Sequence, residues 1–270
     1  MARDVVQYKP GILNRLHWNP LAFYAAIMFM FLLAPGFVVI ILSFSSSTFM
    51  EFPPPGFSLQ WYGTFFKDEQ LLTALGISLQ VAFAATILSI LIGTLAAFSL
   101  SRYTIRGGKV IRLAMLAPFI VPWIVQATGL YRLFALLGIQ GTIGSIIIAH
   151  TVICIPFVLL VVSAGLIAVP RSLEDAARTL GASGITTTRR ITLPLISSSI
   201  AAAAIFAFIT SFDEFILAFF LASPSAETFP IKMFLALRDK VDPRLTAVST
   251  LFITANFAGV ILFQRLRRAK

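Results

Sequence analysis

The chain has 270 residues, of which 58% are hydrophobic and 12% are charged, and its formal net charge is +10. Because soluble domains carry about 25% charged residues, this composition predicts a membrane protein and argues against a soluble domain. The single cysteine, Cys154, excludes an intramolecular disulfide. The basic excess is typical of the positive-inside bias of membrane proteins and does not require a nucleic-acid partner.

Six hydrophobic segments are long enough to cross a bilayer core about 30 Å thick, which predicts an all-α, polytopic membrane domain over residues 21–266. A cytoplasmic tail of residues 1–20 precedes this domain, and a basic tail of residues 267–270 follows it. The predicted spans cover approximately residues 21–44, 72–100, 113–137, 142–168, 195–221 and 246–266.

Proline marks two places where the chain departs from simple spans. The loop 45–70 contains three consecutive prolines, which disfavour a span, while its Trp61 and Tyr62 favour a helix at the membrane interface. Pro118 and Pro122 lie inside the third segment, so we expect that span to be kinked or broken. Neighbouring groups must then satisfy the carbonyl oxygens that proline leaves free.

The distribution of positive charge predicts the side of the membrane that each loop occupies. With the N-terminus inside, 15 of the 21 Lys and Arg residues fall in four segments on the cytoplasmic side. This bias predicts that both termini are cytoplasmic. It also places the polar loop 170–194, between the fourth and fifth spans, in the cytoplasm.

The loop 170–194 carries the signals of a short amphipathic helix. Ser172 is predicted to be the N-cap and Asp175, three residues later, completes a capping box. Gly181 lies where a helix C-cap glycine is expected. One apolar stripe is predicted from the i, i+3, i+4 and i+7 spacing of Leu173, Ala176, Ala177 and Leu180. Such a helix lies on the bilayer surface or is offered to a soluble partner.

The same loop resembles a known family motif. Asp175-Ala176-Ala177, then Gly181, Ile191 and Leu193-Pro194, have the spacing of the EAA loop in permease subunits of binding-protein-dependent ABC importers. The one departure is Asp175 in place of the glutamate, with Glu174 just before it. The resemblance implies that this loop docks on the ATP-binding subunit. The residues expected to couple the two proteins are Glu174, Asp175, Ala176, Ala177, Arg178, Leu180, Gly181, Ile191, Leu193 and Pro194.

The resemblance also implies an assembly in a bacterial inner membrane. Its expected members are two copies of an ATP-binding subunit, a second permease subunit and an extracytoplasmic substrate-binding protein. The chain contains no G-x-x-x-x-G-K phosphate loop, so we expect ATP and Mg to be bound by the partner ATPase and no cofactor here. With two histidines and one cysteine, no metal-ligand spacing is recognisable. We therefore expect a permease subunit and not an enzyme.

Asp213 and Glu214 are adjacent carboxylates inside the fifth predicted span. A central Asp costs at least about 2.5–3.5 kcal/mol to insert, so such residues usually face a cavity or a partner. One hypothesis places Asp213, Glu214 and Phe212 along the substrate path, where the carboxylates offset the charge of a cation. The alternative places the pair near the outer interface or in contact with Arg132.

The segments SFDEFILAFF and FPIKMFLALRDKVDPRLTAVSTLFI resemble those of spermidine and putrescine permeases. This resemblance implies a polyamine or another small organic cation as the substrate. Permeases for opines or ferric iron share much of the same layout and remain alternatives. Two further alternatives are an ion-coupled carrier that uses Asp213 and Glu214 as its ion site, and a scaffold that does not transport.

Other polar residues suggest only local roles. Interhelical hydrogen bonds are expected from the polar side chains within spans, namely Gln80, Gln126, His150 and Asn256. The mixed-charge loop 238–244 is either a solvated loop or a docking face for the external binding protein.

Overall fold

The computed structural model describes residues 20–239 and 242–268. Among these residues the only β-structure is one isolated bridge between Ser45 and Phe57. The all-α prediction is therefore confirmed for these residues. The chain divides into two compact units, residues 1–67 with 241–270, and residues 68–240. The predicted N-terminal tail falls outside the described residues except for Pro20, as do Ala269 and Lys270 of the basic tail.

The first unit contains three helices: α1 (Pro20–Leu42), α2 (Gln60–Lys67) and α13 (Arg244–Arg268). Both α1 and α2 pack against α13. Trp61 and Tyr62 of α2 fasten it to the chain just after α1, since the Trp61 indole donates to the Ser45 carbonyl at 2.8 Å. The Tyr62 hydroxyl lies 2.8 Å from the Ser43 hydroxyl. The predicted helix around Trp61 is confirmed, and its place at the membrane interface stays a prediction.

The second unit is built around α3 (Glu69–Arg102), α6 (Ile143–Ala168) and α10 (Ser197–Asp213), which pack against one another. Small residues let α3 approach α6 closely. At Gly93, a Cβ atom would lie 2.7 Å from the Cβ of Val158, so a side chain there would force the helices apart. The second and fourth predicted spans are thus continuous helices.

The third predicted span is broken, as the prolines predict. It consists of α4 (Gly108–Ile120) and α5 (Trp123–Leu136), which meet at 107°. Pro122 has no N–H to offer the Pro118 carbonyl. The side-chain amide of Gln126 takes its place, donating to the carbonyls of Pro118 at 2.9 Å and Val121 at 2.8 Å. The expected interhelical hydrogen bond of Gln126 is therefore confirmed, and it joins the two helices of one predicted span.

The fifth predicted span is not one continuous helix. Before α10 come the short α8 (Gly184–Thr187), a π-helix (Thr188–Thr192) and α9 (Leu193–Leu195), with a 68° bend between residues 195 and 197. After α10 the chain breaks at Glu214 and continues as α11 (Ile216–Leu221). The element that follows is α12 (Phe229–Asp239).

Three helices among the described residues are long and apolar enough to cross a membrane, namely α1, α3 and α6. The number rises to five if each bent pair forms one span. The apolar part of α13, Arg244–Ala255, is shorter than a span. Six spans, and the side on which each terminus lies, stay predictions.

Candidate functional site

The polar loop 170–194 forms α7 (Arg171–Thr179), but not with the predicted start. Pro170 is the N-cap, with φ −60° and ψ 133°, and no side chain caps the helix. Because Arg171 is already helical, Ser172 lies within the first turn. The prediction of Ser172 as N-cap, with Asp175 completing a capping box, is wrong.

The end of α7 agrees with the sequence. Gly181 has φ +88°, a left-handed conformation that glycine adopts without strain. Its N–H donates to the Arg178 carbonyl at 2.9 Å, and the Ala182 N–H donates to the Ala177 carbonyl at 3.0 Å. These two bonds form a Schellman motif, which satisfies the last carbonyls of the helix. The predicted C-cap glycine is confirmed.

The apolar stripe of α7 faces away from the chain. Leu173 is 46% exposed, Leu180 is 89% exposed, and Ile185 just beyond them is 82% exposed. Among the other motif residues, the exposed ones are Asp175, Ala176, Arg178, Gly181, Leu193 and Pro194, while Ala177 and Ile191 are half-buried. Large apolar side chains that lie close in the sequence and are left exposed by this chain are consistent with a contact surface.

Glu174 points the other way and is the one buried residue of α7. Its Oε1 atom lies 2.9 Å from both Nε and a terminal nitrogen of Arg102, the last residue of α3. The Thr192 hydroxyl donates to the same oxygen at 2.9 Å. The expected position of Glu174 beside Asp175 on a docking face is therefore wrong, because its carboxylate is enclosed by two other parts of the chain. Sequence reasoning missed Arg102 and Thr192 altogether.

A second site lies at the break between α10 and α11. Glu214 is 1% exposed, and its two carboxylate oxygens accept the N–H groups of Leu217 at 2.8 Å and Ala218 at 3.0 Å. These groups belong to the first turn of α11, where a helix has no backbone partners for its N–H groups and favours negative charge. Glu214 therefore explains the break, because its carboxylate starts a new helix.

His150 of α6 completes the surroundings of Glu214. Its Nδ1 atom lies 2.9 Å from the Ser211 hydroxyl, and its Nε2 atom lies 3.3 Å from Oε2 of Glu214. The predicted interhelical hydrogen bond of His150 is confirmed. Arg132 is exposed and forms no ion pair with either carboxylate in the described part of the chain, so the alternative pairing is wrong.

Asp213 differs from Glu214 in exposure and in bonding. It is the last residue of α10, its side chain is exposed, and it has no hydrogen bond or ion pair with the described residues. Glu214 is enclosed within the chain and does not line an open surface in this conformation. The hypothesis that Asp213, Glu214 and Phe212 line the substrate path stays a prediction, and of the two carboxylates Asp213 is the exposed one.

Aromatic rings run along α10 towards Asp213. The half-buried ring of Phe212 stacks on Phe208, with centroids 5.9 Å apart and planes at 17°. Phe208 in turn lies 5.0 Å from Phe83 of α3, a ring that is largely exposed. Phe212 precedes the exposed Asp213 in the sequence, and both aromatic rings and carboxylates attract organic cations.

The remaining polar residues show local contacts. Gln80 is exposed, and the side chain of Asn256 lies outside the described residues, as do Lys240 and the side chain of Asp239 in the mixed-charge loop. In that loop Arg244 pairs with Asp242 at 2.6 Å. Its two predicted roles, a solvated loop or a docking face, stay predictions.

Comparison with known proteins gives a consistent set of matches. A family model described as "Binding-protein-dependent transport system inner membrane component" matches residues 89–269. The spermidine/putrescine transport system permease protein PotC of Escherichia coli (strain K12) is 33% identical, over 90% of this chain and 92% of that protein. The putrescine transport system permease protein PotI of the same strain is 33% identical, over 90% of this chain and 89% of that protein.

The fold also matches a solved structure. A chain in the crystal structure of a bacterial ABC transporter involved in the import of the acidic polysaccharide alginate aligns with a TM-score of 0.69. The alignment covers 97% of this chain and 99% of that chain, at 16% sequence identity. At this identity the likeness concerns the fold alone.

Proposed function

Because this chain belongs to the family of binding-protein-dependent transport system inner membrane components, we propose that it is a permease subunit of an ABC importer for polyamines or related small organic cations. The family predicted from the sequence is thereby confirmed. The chain is a transporter component of the inner membrane, and ATP hydrolysis is assigned to a separate partner subunit.

The observation that carries the proposal is the outward apolar stripe of α7. Leu173 and Leu180 are exposed on a helix whose end is fixed by the turn at Gly181. A groove on an ATP-binding subunit would cover this stripe, with Asp175 and Arg178 as charged flanks. Two such subunits would lie in the cytoplasm, one under this chain and one under a second permease subunit.

The substrate is proposed from the relatives and from local chemistry. The names of the two relatives reported above, PotC and PotI, include spermidine or putrescine. Polyamines are flexible chains with several ammonium groups. Asp213 would offset one such charge, and the rings of Phe212 and Phe208 would face others by cation–π contact. An extracytoplasmic binding protein would deliver the substrate.

The proposed topology has six spans with both termini in the cytoplasm. The two bent pairs, α4 with α5 and the α8–α10 region, would count as one span each, and α13 as the sixth. Accessibility labelling of single cysteines in a Cys154→Ala background tests it. Cysteines placed at Ser172 and Ser183 should react only from the cytoplasmic side. Reaction from the opposite side would overturn this orientation.

Transport itself is tested with the full complex in proteoliposomes. We expect uptake of radiolabelled spermidine or putrescine that requires the binding protein outside and ATP on the ATPase side. Competition by octopine or ferric iron in place of polyamines would show a different substrate. Uptake that needs no ATPase and stops when ion gradients are collapsed would show an ion-coupled carrier and overturn the proposal.

A further inference from the structure

The attachment of α7 to the rest of its unit depends on very few side chains. Of its nine residues only Glu174 is buried, and the apolar stripe points outward. Arg171 adds a contact at the surface, where its guanidinium donates to the Ser101 carbonyl. Movement imposed on α7 from outside therefore reaches the packed helices through the flanking backbone, through Arg171 at the surface and through the buried carboxylate of Glu174.

Arg102 contacts both the Glu174 carboxylate and the C-terminal end of α6. Its Nε and one terminal nitrogen contact Glu174 Oε1, both at 2.9 Å, and the terminal nitrogen also donates to the Val169 carbonyl at 3.2 Å. Val169 is the C-cap of α6, and Arg102 is the last residue of α3. One guanidinium thus joins the ends of α3 and α6 to α7.

Thr192 connects the same carboxylate to the segment that precedes α10. It lies in the π-helix that leads into α10, is fully buried, and donates its hydroxyl to the same Glu174 oxygen at 2.9 Å. The single atom Glu174 Oε1 is therefore shared by α3 and by the entry to α10. Arg102 of α3 thus contacts this carboxylate directly, α6 is linked to it through the same guanidinium, and α10 is linked through the π-helix and α9 that precede it.

We propose that Arg102 is a positioning residue for transport, which acts through Glu174 to make α3, α6 and α10 follow the movement of α7. The inference rests on the proposed function, because it needs an ATPase docked on α7. A buried ion pair is weak evidence for stability, but it fixes geometry. The planar guanidinium gives directed contacts to a carboxylate and a carbonyl together, which an ammonium group does not.

The test measures substrate carried per ATP hydrolysed by the reconstituted full complex. In Arg102→Met, α7 keeps its docking face, so the ATPase should still co-purify and hydrolyse ATP. Uptake per ATP should fall about tenfold, within the range seen for residues that carry coupling between sites. Arg102→Lys should restore part of this ratio, because it keeps the charge but loses the directed pair of contacts.

A double mutant and a matched control separate positioning from general damage. Arg102→Met with Glu174→Gln should be no worse than Arg102→Met alone, since both changes remove one shared interaction. Arg106→Met removes the same charge from an exposed position four residues away and should leave uptake per ATP unchanged.

Three outcomes would overturn the inference. They are an unchanged ratio in Arg102→Met, losses that add in the double mutant, and an equal loss in Arg106→Met. A fall in assembled complex with a normal ratio in what remains would show a structural role and would also overturn it. If the unaltered complex neither binds an ATPase nor transports, the proposed function itself fails, which is a distinct result.

Discussion

This chain has two pairs of adjacent acidic residues, and in each pair one side chain is buried and the other is exposed. In Glu174-Asp175 and in Asp213-Glu214 the glutamate is buried and bonded, while the aspartate is exposed. The partners differ: Glu174 faces the permanent cation of Arg102 between helix ends, whereas Glu214 accepts backbone N–H groups at a helix break and faces His150. In both pairs the glutamate organises the backbone and leaves the aspartate free for a partner.

The largest expected effect comes from removing the buried glutamate at the helix break. Glu214→Ala leaves the N–H groups of Leu217 and Ala218 without an acceptor and His150 without its partner. We expect a loss of roughly 2–6 kcal/mol of stability, because each buried N–H left without an acceptor costs about 1–3 kcal/mol. Thermal unfolding of the purified complex measures it. Glu214→Gln, which retains one accepting oxygen, should lose less, and an Ala variant as stable as the parent would refute the capping role.

Asp213, the exposed neighbour of Glu214, should affect substrate uptake and not stability. Asp213→Asn removes a charge that has no bond with the described residues, so the melting temperature should not change. If Asp213 meets an ammonium group, the KM for polyamine uptake should rise by about tenfold, the equivalent of one charged hydrogen bond. Uptake measured over a range of spermidine concentrations gives the KM. An unaltered KM would remove Asp213 from the substrate path.

The placement of Glu174 and Asp175 on α7 depends on the turn at Gly181 that ends this helix. Gly181→Val forces a β-branched residue to φ +88°, at a cost of about 1–2 kcal/mol, although open space surrounds the position. We expect the turn to shift and binding of the ATPase to weaken, measured as ATPase recovered with the tagged permease. Gly184→Val is the matched control, because Gly184 also has open space but no positive φ. Equal recovery from both variants would contradict the prediction.

The smallest effect concerns the hydrogen bond that steadies His150. Ser211→Ala removes the hydroxyl 2.9 Å from the imidazole but leaves Glu214 and its backbone bonds in place. Interhelical hydrogen bonds of this kind contribute about 0.6 kcal/mol. Thermal unfolding should therefore show a slight decrease, far below that of Glu214→Ala. A decrease as large as that of Glu214→Ala would mean that the serine, not the carboxylate, holds this region together.

The sequence predicted well the features that depend on nearby residues. Long apolar runs marked α3 and α6, Pro118 and Pro122 marked the broken segment, and Gly181 marked the end of α7. Each of these signals acts within a few residues of its effect. The start of α7 was misjudged because Pro170 competed with Ser172 for the same local role.

Features that depend on distant residues escaped prediction. Glu174 and Arg102 are 72 residues apart, and no periodic pattern relates them. A signal did exist, since both residues lie at segment ends that the charge distribution assigned to the same side. The break at Glu214 has no proline or glycine beside it, and it follows from a side chain that bonds the backbone three and four residues ahead.

The close approach at Gly93 has a consequence for how this chain can move. Because an added Cβ atom at residue 93 would lie only 2.7 Å from the Cβ of Val158, the two longest helices of the second unit are in close contact at that level. Alternating access is in general a rocking of whole helix groups. We therefore expect α3 and α6 to move together as one rigid body. A path would then open and close along the outer faces of this pair and not between the two helices.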